Sequence, residues 1–149
     1  MTIVHQRITS HHRNVAKKAI EIAIEYERLT GRKLGITGEV GEIFACDRLK
    51  LFLLNDQIAP GIDAKDEKGN TYQIKSKRVI GNEGTLGSFS SHKYDYAVMV
   101  LLDREYKIIE IRVAPFSKID PIVQRRTRRN PTVQQFRAVS DMVKMSKLG

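Results

Sequence analysis

The chain has 149 residues, with 26 Lys and Arg against 17 Asp and Glu, and its formal net charge is +9. That length suits one domain around one core, while 41% hydrophobic and 29% charged residues exclude disorder along most of the chain. A single cysteine, Cys46, excludes an internal disulfide framework and a multi-cysteine metal site, and it fits a reducing cytoplasm. The longest nearly apolar stretch, residues 97–102, falls far short of the roughly 20 residues that span a bilayer, so a cytoplasmic protein without a membrane partner is expected.

In chain order, Val15, Ala16, Ala19, Ile20, Ala23, Ile24 and Tyr26 recur at helical spacing after Ser10, a candidate cap, and Gly31 stops the run near Leu29. A second helix is predicted from the cap candidate Thr37 through Val40, Ile43, Phe44, Leu49, Leu51 and Leu54, apolar over so much of its circumference that burial is expected. The pattern then changes to a β-hairpin, residues 62–66 and 71–77, around Lys68, Gly69 and Asn70. Residues 81–91, rich in Gly and Ser, read as a long loop of the functional or mobile kind. Two strands follow, residues 94–102 and 106–113, the first apolar enough to be central. Asp120 with Pro121 and Asn130 with Pro131 each pair a capping residue with a first-turn proline, which predicts two basic C-terminal helices over about 120–148. The whole reads as an α/β or α+β domain, residues 1–149, with a sheet of about four strands flanked by helices.

The charge is uneven. Residues 1–50 carry 9 cations and 6 anions, residues 51–100 carry 6 of each, and residues 101–149 carry 11 and 5. Two basic ends around a neutral middle suggest a polyanionic partner.

The chemistry concentrates in residues 60–78, PGIDAKDEKGNTYQIKSKR, and in the GEVGE segment before it. If Glu67, Lys68 and Gly69 form a three-residue turn with Gly69 left-handed, residues 66 and 70 pair, and counting back sets Asp63 opposite Gln73. Side chains alternate along a strand, so Lys75 shares the face of Gln73. Glu39 and Glu42 lie on one side of the second helix near its N-terminus, where the helix dipole alone would favour them. A carboxylate, an amide oxygen and an ammonium so gathered suit phosphodiester hydrolysis. That reaction needs a divalent cation held by oxygen ligands and a positive charge near the attacking water or the developing negative charge. A hairpin with an ordinary solvated polar face is the plain alternative.

These residues resemble the PD-(D/E)XK nuclease superfamily, the restriction-endonuclease-like fold, over roughly residues 37–102. Its helix acid would be Glu42, or Glu39 in its place, its first strand residue Asp63, and its second half-motif Gln73, Ile74 and Lys75. Gln73 stands where an acid is commonest, a form similar to the Mrr-like branch, in which a strand close to YQIKSKR is typical. The resemblance implies a Mg²⁺-dependent DNA endonuclease of restriction, homing, resolvase or repair type, with Mn²⁺ as a substitute metal. Glu42, Asp63, Gln73 and Lys75 would be its catalytic residues, Asp63, Glu42, Gln73 and Glu39 its candidate metal ligands, and a homodimer or higher homo-oligomer its state. The alternative is a nuclease-fold DNA-binding protein with weak or lost catalysis. Lys77 and Arg78 on the motif strand, and Arg125, Arg126, Arg128 and Arg129 between the last two helices, are candidate phosphate contacts, although charged element ends are also commonly just solvated. The four histidines show no metal-ligand spacing, Cys46 reads as core, and no phosphate-binding glycine loop occurs.

Overall fold

A computed structural model describes residues 5–55 and 61–144. After a short strand β1 (His5–Gln6), helix α1 (Ser10–Thr30) starts one residue earlier than its sequence cap suggests. Thr9 is the N-cap, and it forms a capping box with His12. Gly31 ends the helix in the left-handed conformation at φ 73°, donating its N–H to the Glu27 carbonyl at 2.8 Å.

Helix α2 (Thr37–Leu49) is shorter than expected. Lys50 turns left-handed at φ 56°, and the apolar run assigned to the end of the helix instead becomes strand β2 (Phe52–Leu54). A run of Leu and Phe has no period that separates a buried helix end from a buried strand, and pairing of β2 with both of its neighbours in the sheet decides the matter. Pro60 lies outside the described residues.

The hairpin forms with the expected register. Strands β3 (Ala64–Lys65) and β4 (Thr71–Arg78) pair Ala64 with Tyr72 and Lys65 with Thr71, and Gly69 closes the turn at φ 84°. The Asp66 carboxylate, accepting from Lys68 N–H, Asn70 N–H and Tyr72 Oη, staples that turn. Strands β5 (Tyr96–Leu102) and β6 (Ile108–Pro115) follow, and β5 lies inside the sheet between β4 and β6, covered on both faces: every residue from Ala97 to Leu102 is 0% exposed.

The C-terminal part differs most from expectation. Helix α3 (Phe116–Gln124) continues directly from β6, so Asp120 and Pro121 lie inside it and do not begin it. The Asp120 carboxylate is bound by Gln124 and Arg129 and has no capping role. The final helix α4 (Val133–Ala138) begins after Thr132, which forms a capping box with Gln135, so Asn130 and Pro131 lie ahead of the cap. It spans only six residues, because the chain then forms strand β7 (Asp141–Met142) against β6 and Val143 donates its N–H to the Ile111 carbonyl. Residues 145–148 of the predicted long helix lie outside the described residues.

The sheet therefore has seven strands in the order β1-β2-β3-β4-β5-β6-β7, not about four, and β4 with β5 is its one parallel pair among the described residues. The additional strands are two or three residues long, too short to carry a period of their own. The mixed α/β class stands. Val98, Val100 and Leu102 of β5 pack towards α1 and α2 with Val40, Ala45, Cys46 and Ile74, while Ala97, Met99 and Leu101 pack towards α3, α4, Leu86 and Phe89. Each large side chain so buried contributes about 1.5–3 kcal/mol. Among the described residues no helix is long and apolar enough to cross a membrane.

Candidate active site

Four residues singled out in the sequence line one cleft of about 470 Å³: Glu42, Asp63, Gln73 and Lys75, together with Gly61, Ile74, Ser88, Phe89 and Ser90. The hairpin register provides the first pairing. Continuing from Ala64 opposite Tyr72 sets Asp63 opposite Gln73, and Asp63 N–H donates to the Tyr72 carbonyl at 2.9 Å. The Asp63 side chain is fixed as well, because Oδ2 accepts the Ile74 N–H at 2.8 Å.

Alternation along β4 sends Ile74 into the core shared with α2, while Gln73 and Lys75 face the 81–91 segment. Gln73 is only 2% exposed, and its Oε1 accepts the Ser90 N–H at 3.1 Å. Gly61, left-handed at φ 81°, closes over it so tightly that a Cβ there would stand 2.8 Å from Gln73 Nε2 and 2.7 Å from Ser90 Cβ. A Cβ at Gly87 would stand 3.5 Å from Lys75 Cδ. The long loop is accordingly packed into the molecule: Leu86 and Phe89 are buried, and Thr85 bridges to Thr132.

Glu42 reaches the cleft from α2. That helix lies almost against β4, since a Cβ on Gly41 would fall 1.7 Å from Ser76 Oγ. Only glycine permits the approach, and the next residue, Glu42, is thereby delivered beside the hairpin. Glu39, three residues earlier, is exposed and does not line the cleft. Of the two acids the sequence left open, the structure brings Glu42 to the other three.

The electrostatics are those of concentrated, incompletely compensated negative charge. Burial pushes the Glu42 pKa up to about 7, reinforced by the Asp63 and Glu39 carboxylates and opposed by Lys75. Burial also raises Asp63, against the opposing pull of the Ile74 N–H and of Lys75. Among the described residues no group of three His, Cys, Asp or Glu converges as a metal cluster. A cation in this cleft would therefore rest on two carboxylates and neutral oxygens, a donor set that suits a hard ion retaining water and substrate oxygens.

The basic residues divide into two groups. Arg78, with its side chain 8% exposed, stacks over the Tyr106 ring at 4.3 Å and binds Glu27 and the Arg104 carbonyl, so it is committed to the interior. Arg129, left-handed at φ 54°, donates to the Phe89 and Ser90 carbonyls at 3.0 Å and pairs with Asp120, which ties the cleft loop to α3. Arg126 donates to the Asn130 carbonyl at 2.6 Å. Arg125 and Arg128 remain exposed, on a shallow cleft of about 340 Å³ with Arg126, Thr127 and Asn130, and Lys77 lies partly buried beside Gly84.

Ser90, Gly61 and Gly41 escaped the sequence reading as site residues, and Ser76, which extends the motif strand, packs against Gly41 of α2. Gly41 left a signal: a glycine inside a helical pattern often marks a close packing contact. No family model matches the chain, and no curated protein matches it.

Proposed function

We propose that this chain is a Mg²⁺-dependent endonuclease that hydrolyses DNA phosphodiester bonds, with Mn²⁺ as a substitute. The observation that supports it is the convergence of Glu42, Asp63, Gln73 and Lys75 on one cleft, with both carboxylates raised in pKa and in need of a cation. Asp63 and Glu42 would hold the metal, with the free lone pair of the Gln73 carbonyl beside them. When bound, the ion neutralises charge on the phosphoryl oxygens and acidifies water. Asp63, pinned by the Ile74 N–H, supplies a ligand oxygen at a fixed position without reorganisation. Lys75 orients the attacking water or meets the negative charge that develops on the phosphate oxygens. Arg125 and Arg128 are the phosphate contacts that this reading favours, with Lys77 nearer the cleft. Cutting both strands of a duplex takes two such sites, hence a symmetric oligomer. Restriction, homing, junction resolution and repair all fit this chemistry.

A second reading, a DNA-binding protein with weak or lost catalysis, draws support from Gln73, which brings one negative charge fewer and whose oxygen is already engaged by Ser90. Supercoiled plasmid incubated with Mg²⁺ or Mn²⁺ separates the two. The nuclease reading expects nicked or linear product, and a rate at least about 10²-fold lower for Lys75→Ala at unchanged duplex affinity. Plasmid that stays supercoiled in both metals, while the protein binds duplex with steep salt dependence, establishes the second reading instead.

A further inference from the structure

Helix α1 carries two apolar rows, and among the described residues only one is covered. Ala16, Ile20, Ala23 and Ile24 pack towards the sheet. The other row, Val15, Ala19, Ile22, Tyr26 and Leu29, advances by four, three, four and three residues, the spacing of a helix-pairing seam. At roughly 100° per residue it lies about a third of a turn round the helix from the buried row. Val15 is 49% exposed, Ile22 58% and Leu29 84%. One exposed leucine is ordinary, but five apolar positions in line along four turns form a continuous surface.

We infer that this row binds the same row of a second copy, antiparallel about a two-fold axis. The occupant is chosen by charge. In antiparallel packing Ala19 meets the partner's Ile22 and Val15 meets the partner's Tyr26. That register brings Lys18 beside the partner's Glu25 and Glu25 beside the partner's Lys18. Both are exposed, and among the described residues neither forms an ion pair. A parallel pairing would set Lys18 against the partner's Ala23 and Glu25 against the partner's Thr30, neither of them charged, so only the antiparallel arrangement satisfies both. α1 contributes no residue to the candidate active site, so this pairing stands or falls independently of the nuclease reading.

Sedimentation equilibrium on the full chain tests it. The wild type is expected to dimerise with a Kd in roughly the micromolar range, and Ile22→Asp is expected to remain monomeric with an unchanged far-ultraviolet spectrum. Lys18→Glu alone and Glu25→Lys alone each set like charges together and are expected to dimerise about tenfold more weakly. Mixed one to one, each variant supplies the charge the other lacks, so the mixed dimer recovers wild-type affinity. A wild type that stays monomeric to about 100 µM, a dimer that survives Ile22→Asp, or a mixture no tighter than its separate components would each overturn the pairing.

Discussion

Two clusters of buried or half-buried acid illustrate opposite solutions to one problem. Glu110, 7% exposed, suffers the upward pull of burial, yet hydrogen bonds from Arg137 and Arg112 outweigh it and hold its pKa below the usual range. Arg137 also binds Glu83, so two carboxylates share its guanidinium and Glu110 is bound by two arginines. Glu42 and Asp63 face the same cost with a single ammonium, Lys75, and both are shifted upward. The fold can neutralise an acid completely where the acid serves structure. Where it does not do so, the remaining negative charge is available for something absent from the chain itself.

This contrast can be broken at its strong side first. Arg137→Ala leaves Glu110 buried with one partner and Glu83 with none among the described residues, and should cost about 3 kcal/mol in urea unfolding, well beyond an exposed ion pair. If the loss stays below about 1 kcal/mol, the network is decorative and the comparison loses its reference point.

Next in size is the contact that delivers Glu42. Gly41→Ala drives a methyl group into Ser76 and should cost about 2 kcal/mol and displace α2 from β4. Pairing it with Ser76→Gly should restore both stability and any metal binding, and a stable single variant would refute the contact.

The smallest effect has the most informative sign. Folded Glu42 keeps its proton to about pH 7, whereas an unfolded glutamate releases it near pH 4.3. The proton therefore favours the folded state at low pH, and that contribution is lost as pH rises through about 7. Glu42→Gln should thus stabilise the metal-free protein at pH 8 by about 1 kcal/mol, after allowance for solvent around a partly exposed side chain. Added Mg²⁺ should raise the melting temperature of the wild type and not of this variant. A variant less stable than the wild type at pH 8 would show that Glu42 is already compensated.

The sequence was informative where local rules govern and silent where distant segments meet. Gly69 set the hairpin turn, the turn set the register, and the register set Asp63 opposite Gln73, a chain of steps confined to a few residues. The apolar run of β5 announced a strand covered on both faces. In contrast, nothing in the Arg125 to Arg129 run distinguishes Arg129, whose partners Phe89, Ser90 and Asp120 come from two other segments, from its exposed neighbour Arg128. Arg78 was misread as a surface cation for the same reason, since Glu27 and Tyr106 find it only in the folded chain. Helical spacing of apolar residues continues past Ala138, which predicts a longer last helix than α4, but there pairing with β6 takes over.

The parallel pairing of β4 with β5 has a consequence for the order of assembly. The hairpin of β3 and β4 closes a turn of a few residues and can form within microseconds, setting Asp63 and Gln73 face to face at once. Strand β5 can align with β4 only after the whole crossover between them has folded back, a slower event of higher contact order. That crossover contains Ser88, Phe89 and Ser90, the far wall of the cleft. The half of the pocket built from Asp63 and Gln73 thus exists before its far wall, and a chain caught between the two steps exposes Asp63 to water with nothing yet to hold Gln73 in place.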